Sequence, residues 1–110
     1  MTDEAKRQLQ QQLIVDEGMR LKPYRDSEGH LTIGVGHNMD ANPISRRAAM
    51  VILEDDIAAA VADLDRELPW WRKMDEPRQL VLINMCFNMG IGSVSPPTGL
   101  LGFHNTLAAM

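Results

Sequence analysis

The 110-residue sequence holds a single cysteine, Cys86, so no internal disulfide can form and nothing in the fold depends on oxidation. Cys86 lies between Met85 and Phe87 in an apolar run and reads as a small buried hydrophobe. A basic surplus is also missing. With a formal net charge of -4 and a pI of about 5.2, the chain lacks the electrostatic footprint of a nucleic-acid binder. No apolar stretch approaches the ~18 residues of a membrane helix, so a soluble protein without membrane insertion is expected. The opening residues MTDEAKRQLQQQ have neither the basic nor the apolar region of a secretory signal. The three histidines are isolated from one another and from Cys86, which argues against a metal site. Gly34-Val35-Gly36 lacks the further glycine and the lysine of a phosphate-binding loop, so no cofactor is expected. Internal repeats and low-complexity tracts are absent.

What is present is an ordinary globular balance, 45% hydrophobic and 24% charged, at a length that suits one compact domain. From Asp3 to Asp16 there is no Gly or Pro, and Leu9, Leu13, Ile14 and Val15 supply an apolar side, which predicts a helix ending near Glu17 before Gly18. Met19 to Gly36 changes character. Pro23, the cluster Asp26-Ser27-Glu28-Gly29 and the alternating run Leu31–Val35 predict a small antiparallel hairpin or meander near residues 19–37. A second helix can start at Ser45 and run to Leu68 before Pro69, with Ile57, Val61, Leu64 and Leu68 on one face. Asp75 or Glu76, with Pro77, opens a third, whose Leu80–Phe87 stretch is apolar almost all round and is expected at the buried centre. Gly90 and Gly92 end it. Residues 93–99 read as a loop or linker, and Gly102–Met110 as the start of a further helix. The fold class is therefore α+β, mainly helical.

Among fifteen acidic residues, Glu17 and Asp26 differ in setting. Glu17 ends an apolar helix beside Gly18, where partial burial would favour the protonated acid. Asp26 lies in a polar turn and should stay ionised. Such a contrast suits glycosidic hydrolysis, which needs one carboxyl to protonate the leaving oxygen and another to activate water or attack the sugar. Chemistry alone does not single out this pair from the other acids.

The order of motifs does. Glu17-Gly18, Tyr24-Arg25-Asp26, the Gly29 turn and Thr32-Ile33-Gly34-Val35-Gly36-His37 together resemble the catalytic segment of phage-type lysozymes, the glycoside hydrolases that include phage endolysins. Leu82–Gly90 resembles that family's central helix, and Gly102–Leu107 the start of the following one. The resemblance spans about Gln12 to Met110 and implies a lysozyme-like fold. It also implies hydrolysis of the β-1,4 bond between N-acetylmuramic acid and N-acetylglucosamine in peptidoglycan, used in bacterial cell lysis. Carried over by position, it makes Glu17 the general acid, Asp26 the second carboxylate and Thr32 a holder of the attacking water. His37 and Asp56 would form a structural ion pair, and Asn38, Phe87 and Thr106 would line the sugar cleft. Phe87 reads equally well as core. Trp70 and Trp71 are read as packing at a helix junction, His30 and His104 as polar surface, and the methionines as core or exposed helix positions.

Residues 93–99 look like an insertion relative to the family, which also usually continues through several more helices beyond the equivalent of Met110. A single lysozyme-like domain truncated at its C-terminus is therefore expected, with the Leu80–Phe87 helix poorly covered. Self-association or a complementing second chain would cover it, and exchange of the terminal helix would be one route to a dimer. Synthesis in the host cytoplasm, with action on the wall after release, follows from the endolysin resemblance. The alternative is a non-catalytic remnant that binds peptidoglycan or assembles with a partner chain.

Overall fold

The computed structural model describes residues 1–110, which form two compact units, Met1–Ser45 and Arg46–Met110.

The first unit opens with helix α1, Asp3–Glu17. Thr2 caps it by accepting a hydrogen bond from the Ala5 amide at 3.1 Å, and Asp3 and Glu4 place negative charge at its positive end. Gly18 stops it, its amide bonding back to the Ile14 carbonyl at 2.8 Å. No residue of α1 is buried, and Leu9, Leu13, Ile14 and Val15 stay exposed. Strands β1 (Arg20–Arg25), β2 (Leu31–Gly34) and β3 (His37–Asn38) follow as an antiparallel sheet in the order β1-β2-β3, the meander expected from the alternating run. Tyr24 pairs with Thr32, Thr32 with Asn38 and Ile33 with His37. Pro23 has no amide hydrogen to give the ladder, and the register of β1 shifts between Arg20 and Tyr24, where it sits. Thr32, 2% exposed, is the one buried residue of this unit.

The second unit contains α2 (Arg46–Glu67), a 3-10 turn over Pro69–Lys73, α3 (Glu76–Met89), a second 3-10 turn over Leu100–Phe103 and α4 (His104–Ala109). Asp75 caps α3 by accepting from the Arg78 amide, with Pro77 in the first turn where its missing N–H costs nothing. The core is Ala60, Leu64, Leu68, Trp71, Leu82, Cys86, Leu100, Leu101 and Leu107. Val61, Leu64 and Leu68 on the predicted α2 face reach it, whereas Ile57, one turn before Val61, stays exposed. Trp71 closes the junction: its Nε1 donates to Asp65 Oδ1 at 2.7 Å, while Arg72 forks onto the same carboxylate at 2.8 and 2.9 Å and lies 4.8 Å from the Trp71 ring. Those donors, Arg72 first, hold the Asp65 carboxyl down to about 2.

Helix α3 departs from its expected place at a fully buried centre. Leu82 and Cys86, one turn apart, are buried, but Leu80 and Val81 are 58% and 50% exposed and Phe87 is 43% exposed. Within this unit α3 meets α2 and the two 3-10 turns, and these neighbours cover a single stripe of a helix that is apolar almost all round. Residues 93–99 form a closed loop. Ser93 and Thr98 exchange both backbone hydrogen bonds at 3.0 Å, and Gly90 and Ile91 carbonyls accept from Leu100 and Leu101. A Cβ at Gly92 would collide with the Thr98 backbone, so this closure requires glycine.

Candidate active site

The turn between β1 and β2 organises the polar residues of the first unit. Asp26 and His30 bracket it, with the Gly29 amide donating to the Asp26 carbonyl and the Asp26 amide to the His30 carbonyl, both at 3.0 Å. Asp26 Oδ1 accepts from the amides of Glu28 at 2.9 Å and His30 at 2.8 Å. The His30 amide is the largest influence holding the Asp26 carboxyl below its ordinary range. Partial burial opposes it, and the Glu28 amide and the His30 imidazole add to it. Asp26 is thus kept ionised, as its polar turn suggests.

Thr32 is tied to the same carbonyl as Asp26. Its hydroxyl donates to His30 O at 2.9 Å, so one carbonyl oxygen receives both the Asp26 amide and the Thr32 hydroxyl. Across the sheet, Asn38 Oδ1 accepts from the amides of Asp40 and Ala41 at 3.0 and 3.1 Å and shapes the loop after β3. His37 Nε2 lies 3.1 Å from the Asn42 carbonyl oxygen. Asp40 accepts from the Leu31 amide at 2.8 Å and pairs with Arg25 at 3.5 Å.

Glu17, the last residue of α1, is exposed, not partly buried: α1 buries none of its residues, and the helix end leaves the carboxyl open. The turn linking β2 and β3 comes up beside it. A Cβ at Gly36, whose φ is 65°, would lie 3.1 Å from Glu17 Oε2, so the absence of a side chain at 36 leaves the carboxyl its room.

The first unit therefore carries Glu17 at the end of α1, beside Gly36, and Asp26, Thr32, His37 and Asn38 on one turn and one small sheet. Asp56, Phe87 and Thr106 belong to the second unit. Asp56 on α2 and Phe87 on α3 edge one pocket with Ala59, Ala60, Asp63 and Cys86. Phe87 also lines a groove with Leu53, Ile57, Leu80, Ile83 and Asn84, which makes it a surface ring and not core. Thr106 is exposed on α4. His30, read from the sequence as polar surface, has a 42% exposed side chain and also engages the turn: its amide, carbonyl and ring all face Asp26 or Thr32, which the sequence reading did not foresee. The signal was its spacing of four from Asp26 across a glycine turn.

Comparison with known proteins points one way. The model of the phage lysozyme family matches residues 15–106. The chain is 32% identical to the pre-baseplate central spike protein Gp5 of Enterobacteria phage T4 over 86% of its own length and 20% of that protein. It is 28% identical to probable T4-type lysozyme 2 of Dictyostelium discoideum, covering 79% of the chain and 68% of the relative. Probable T4-type lysozyme 1 of the same organism is 26% identical over 74% of the chain and 65% of its own length. The chain thus spans a fifth of the spike protein and about two thirds of the two lysozymes.

Proposed function

The chain belongs to the phage lysozyme family, and from that premise we propose that it is a peptidoglycan hydrolase cleaving the β-1,4 bond between N-acetylmuramic acid and N-acetylglucosamine. The observation that carries this reading is the Asp26 turn: a carboxylate held ionised by backbone amides, tied through one carbonyl to the Thr32 hydroxyl.

Glu17 serves as general acid. It gives its proton to the glycosidic oxygen as the bond from that oxygen to the anomeric carbon breaks. Asp26 takes a proton from the water that attacks that carbon. Because Thr32 donates its hydroxyl hydrogen to His30, toward a water it acts as an acceptor. A water held between Thr32 and Asp26 would attack directly with inversion, whereas attack by Asp26 itself would give a covalent intermediate. His37 and Asp56 would form the structural ion pair of the family. Asn38, Phe87 and Thr106 would contact the sugar, Phe87 by offering an exposed ring for stacking. The enzyme would be made in the host cytoplasm and act on the wall during lysis.

The test is turbidity loss of outer-membrane-permeabilised Gram-negative cells. Glu17→Gln, which keeps the size but cannot supply the proton, should slow clearing by at least ~100-fold. Equal rates for the two proteins would sink the catalytic assignment. The likeness to the spike protein favours a second reading, in which the chain acts as a module within a phage particle. Its presence in purified virions, measured by mass spectrometry, separates that reading from a free endolysin.

A further inference from the structure

Position 30 is where two of the three proposed catalytic groups meet. The His30 amide donates to Asp26 Oδ1 at 2.8 Å, and its carbonyl accepts from the Asp26 amide and the Thr32 hydroxyl. Its imidazole Nδ1 lies 3.5 Å from Asp26 Oδ2 and 3.7 Å from Glu28 Oε2. One residue thus addresses both oxygens of the Asp26 carboxylate from different directions. Beside the turn, Arg25 at the end of β1 pairs with Asp40 in the loop after β3 and also donates to the Gly29 carbonyl.

Two carboxylates, Asp26 and Glu28, face the same ring nitrogen. Without a cation between them they would repel, which favours protonation of one. A protonated imidazole at this position supplies that cation. The side chains are only partly shielded, 42% exposed for His30 and 33% for Asp26, so the effect is modest and sensitive to salt.

We propose that His30 is a positioning residue for the hydrolysis: its amide fixes one oxygen of Asp26, and its imidazolium faces the other and keeps the carboxylate ionised as pH falls. This rests on Asp26 serving as the second carboxylate. The reaction then retains its ionised partner further into acid than the backbone amides alone would allow.

The test uses the full chain, with the Asp26 carboxyl carbon followed by NMR titration and the acid limb of kcat/KM measured in parallel. His30→Gln keeps the amide and removes the charge; it should raise the Asp26 midpoint by about half a pH unit and move the acid limb equally, leaving the alkaline limb in place. His30→Lys, which restores a cation, should return both toward wild type. About 1 M salt should shrink the difference. Folding of each variant is read from the same spectra. An unchanged Asp26 midpoint in His30→Gln overturns the proposal. So does a shifted midpoint without a matching acid limb, because the carboxylate that His30 tunes would not be the one the reaction uses. Full activity in both Glu17→Gln and Asp26→Asn would instead overturn the catalytic reading, while the midpoint would still decide what His30 does to Asp26.

Discussion

Gly36 shows how a single residue can matter by having no side chain. Its φ of 65° and its approach to Glu17 both exclude a Cβ without rearrangement. Gly36→Ala should therefore cost about 1–3 kcal/mol in backbone strain, measured by denaturant unfolding, and lower kcat/KM as the Glu17 carboxyl is pushed aside. Loss of stability with activity per folded molecule intact would show that Glu17 is not the group that matters there. Asp65 illustrates a second residue effect. Its folded carboxyl titrates at about 2, below the ordinary 3.8, so its contacts with Arg72 and Trp71 favour folding above the ordinary value and are lost as pH falls toward 2. In Asp65→Asn, stability should change less between neutral and acid pH than in wild type, as read from thermal melts across that range. A third residue, Leu82, is fully buried against the second unit's core, and Leu82→Ala should cost about 2–5 kcal/mol.

Among the elements, burial is uneven. The middle of α3 and the C-terminal half of α2 hold Leu82, Cys86, Ala60 and Leu64 in the core, whereas α1 buries nothing. Native-state hydrogen exchange should find the amides of Leu82–Cys86 among the slowest and those of α1 among the fastest, because local opening is cheapest where few apolar contacts are lost. Comparable protection in α1 and α3 would contradict this. The same contrast explains what the sequence made legible. Caps and stops are local: Gly18, Pro69, Asp75 with Pro77, and Gly90 mark the ends of the three long helices by their own backbone chemistry. The meander was equally plain in its alternating run and glycine turn. What escaped was the side of α3 that is covered, since a helix apolar all round carries no periodic signal for its partners. The closure of residues 93–99 also escaped, because composition marks a loop without revealing which of its ends bond to each other. At the proposed site, the motif singles out Asp26, whereas the role proposed for His30 depends on how the turn folds back.

For the molecule as a whole, the two units divide the proposed labour: the first carries Glu17, Asp26 and Thr32, and the second supplies the large apolar core and the exposed Phe87 ring. The family match runs through both. Glycosidic cleavage is proposed to fall to the Glu17 and Asp26 carboxyls. Release of reducing ends from purified peptidoglycan tests it most directly, comparing the full chain with Glu17→Gln and Asp26→Asn at matched folded concentration. The wild-type chain should release reducing ends steadily, with a fall of at least ~100-fold in Glu17→Gln and Asp26→Asn also strongly impaired. Release at the wild-type rate by either variant would contradict that assignment.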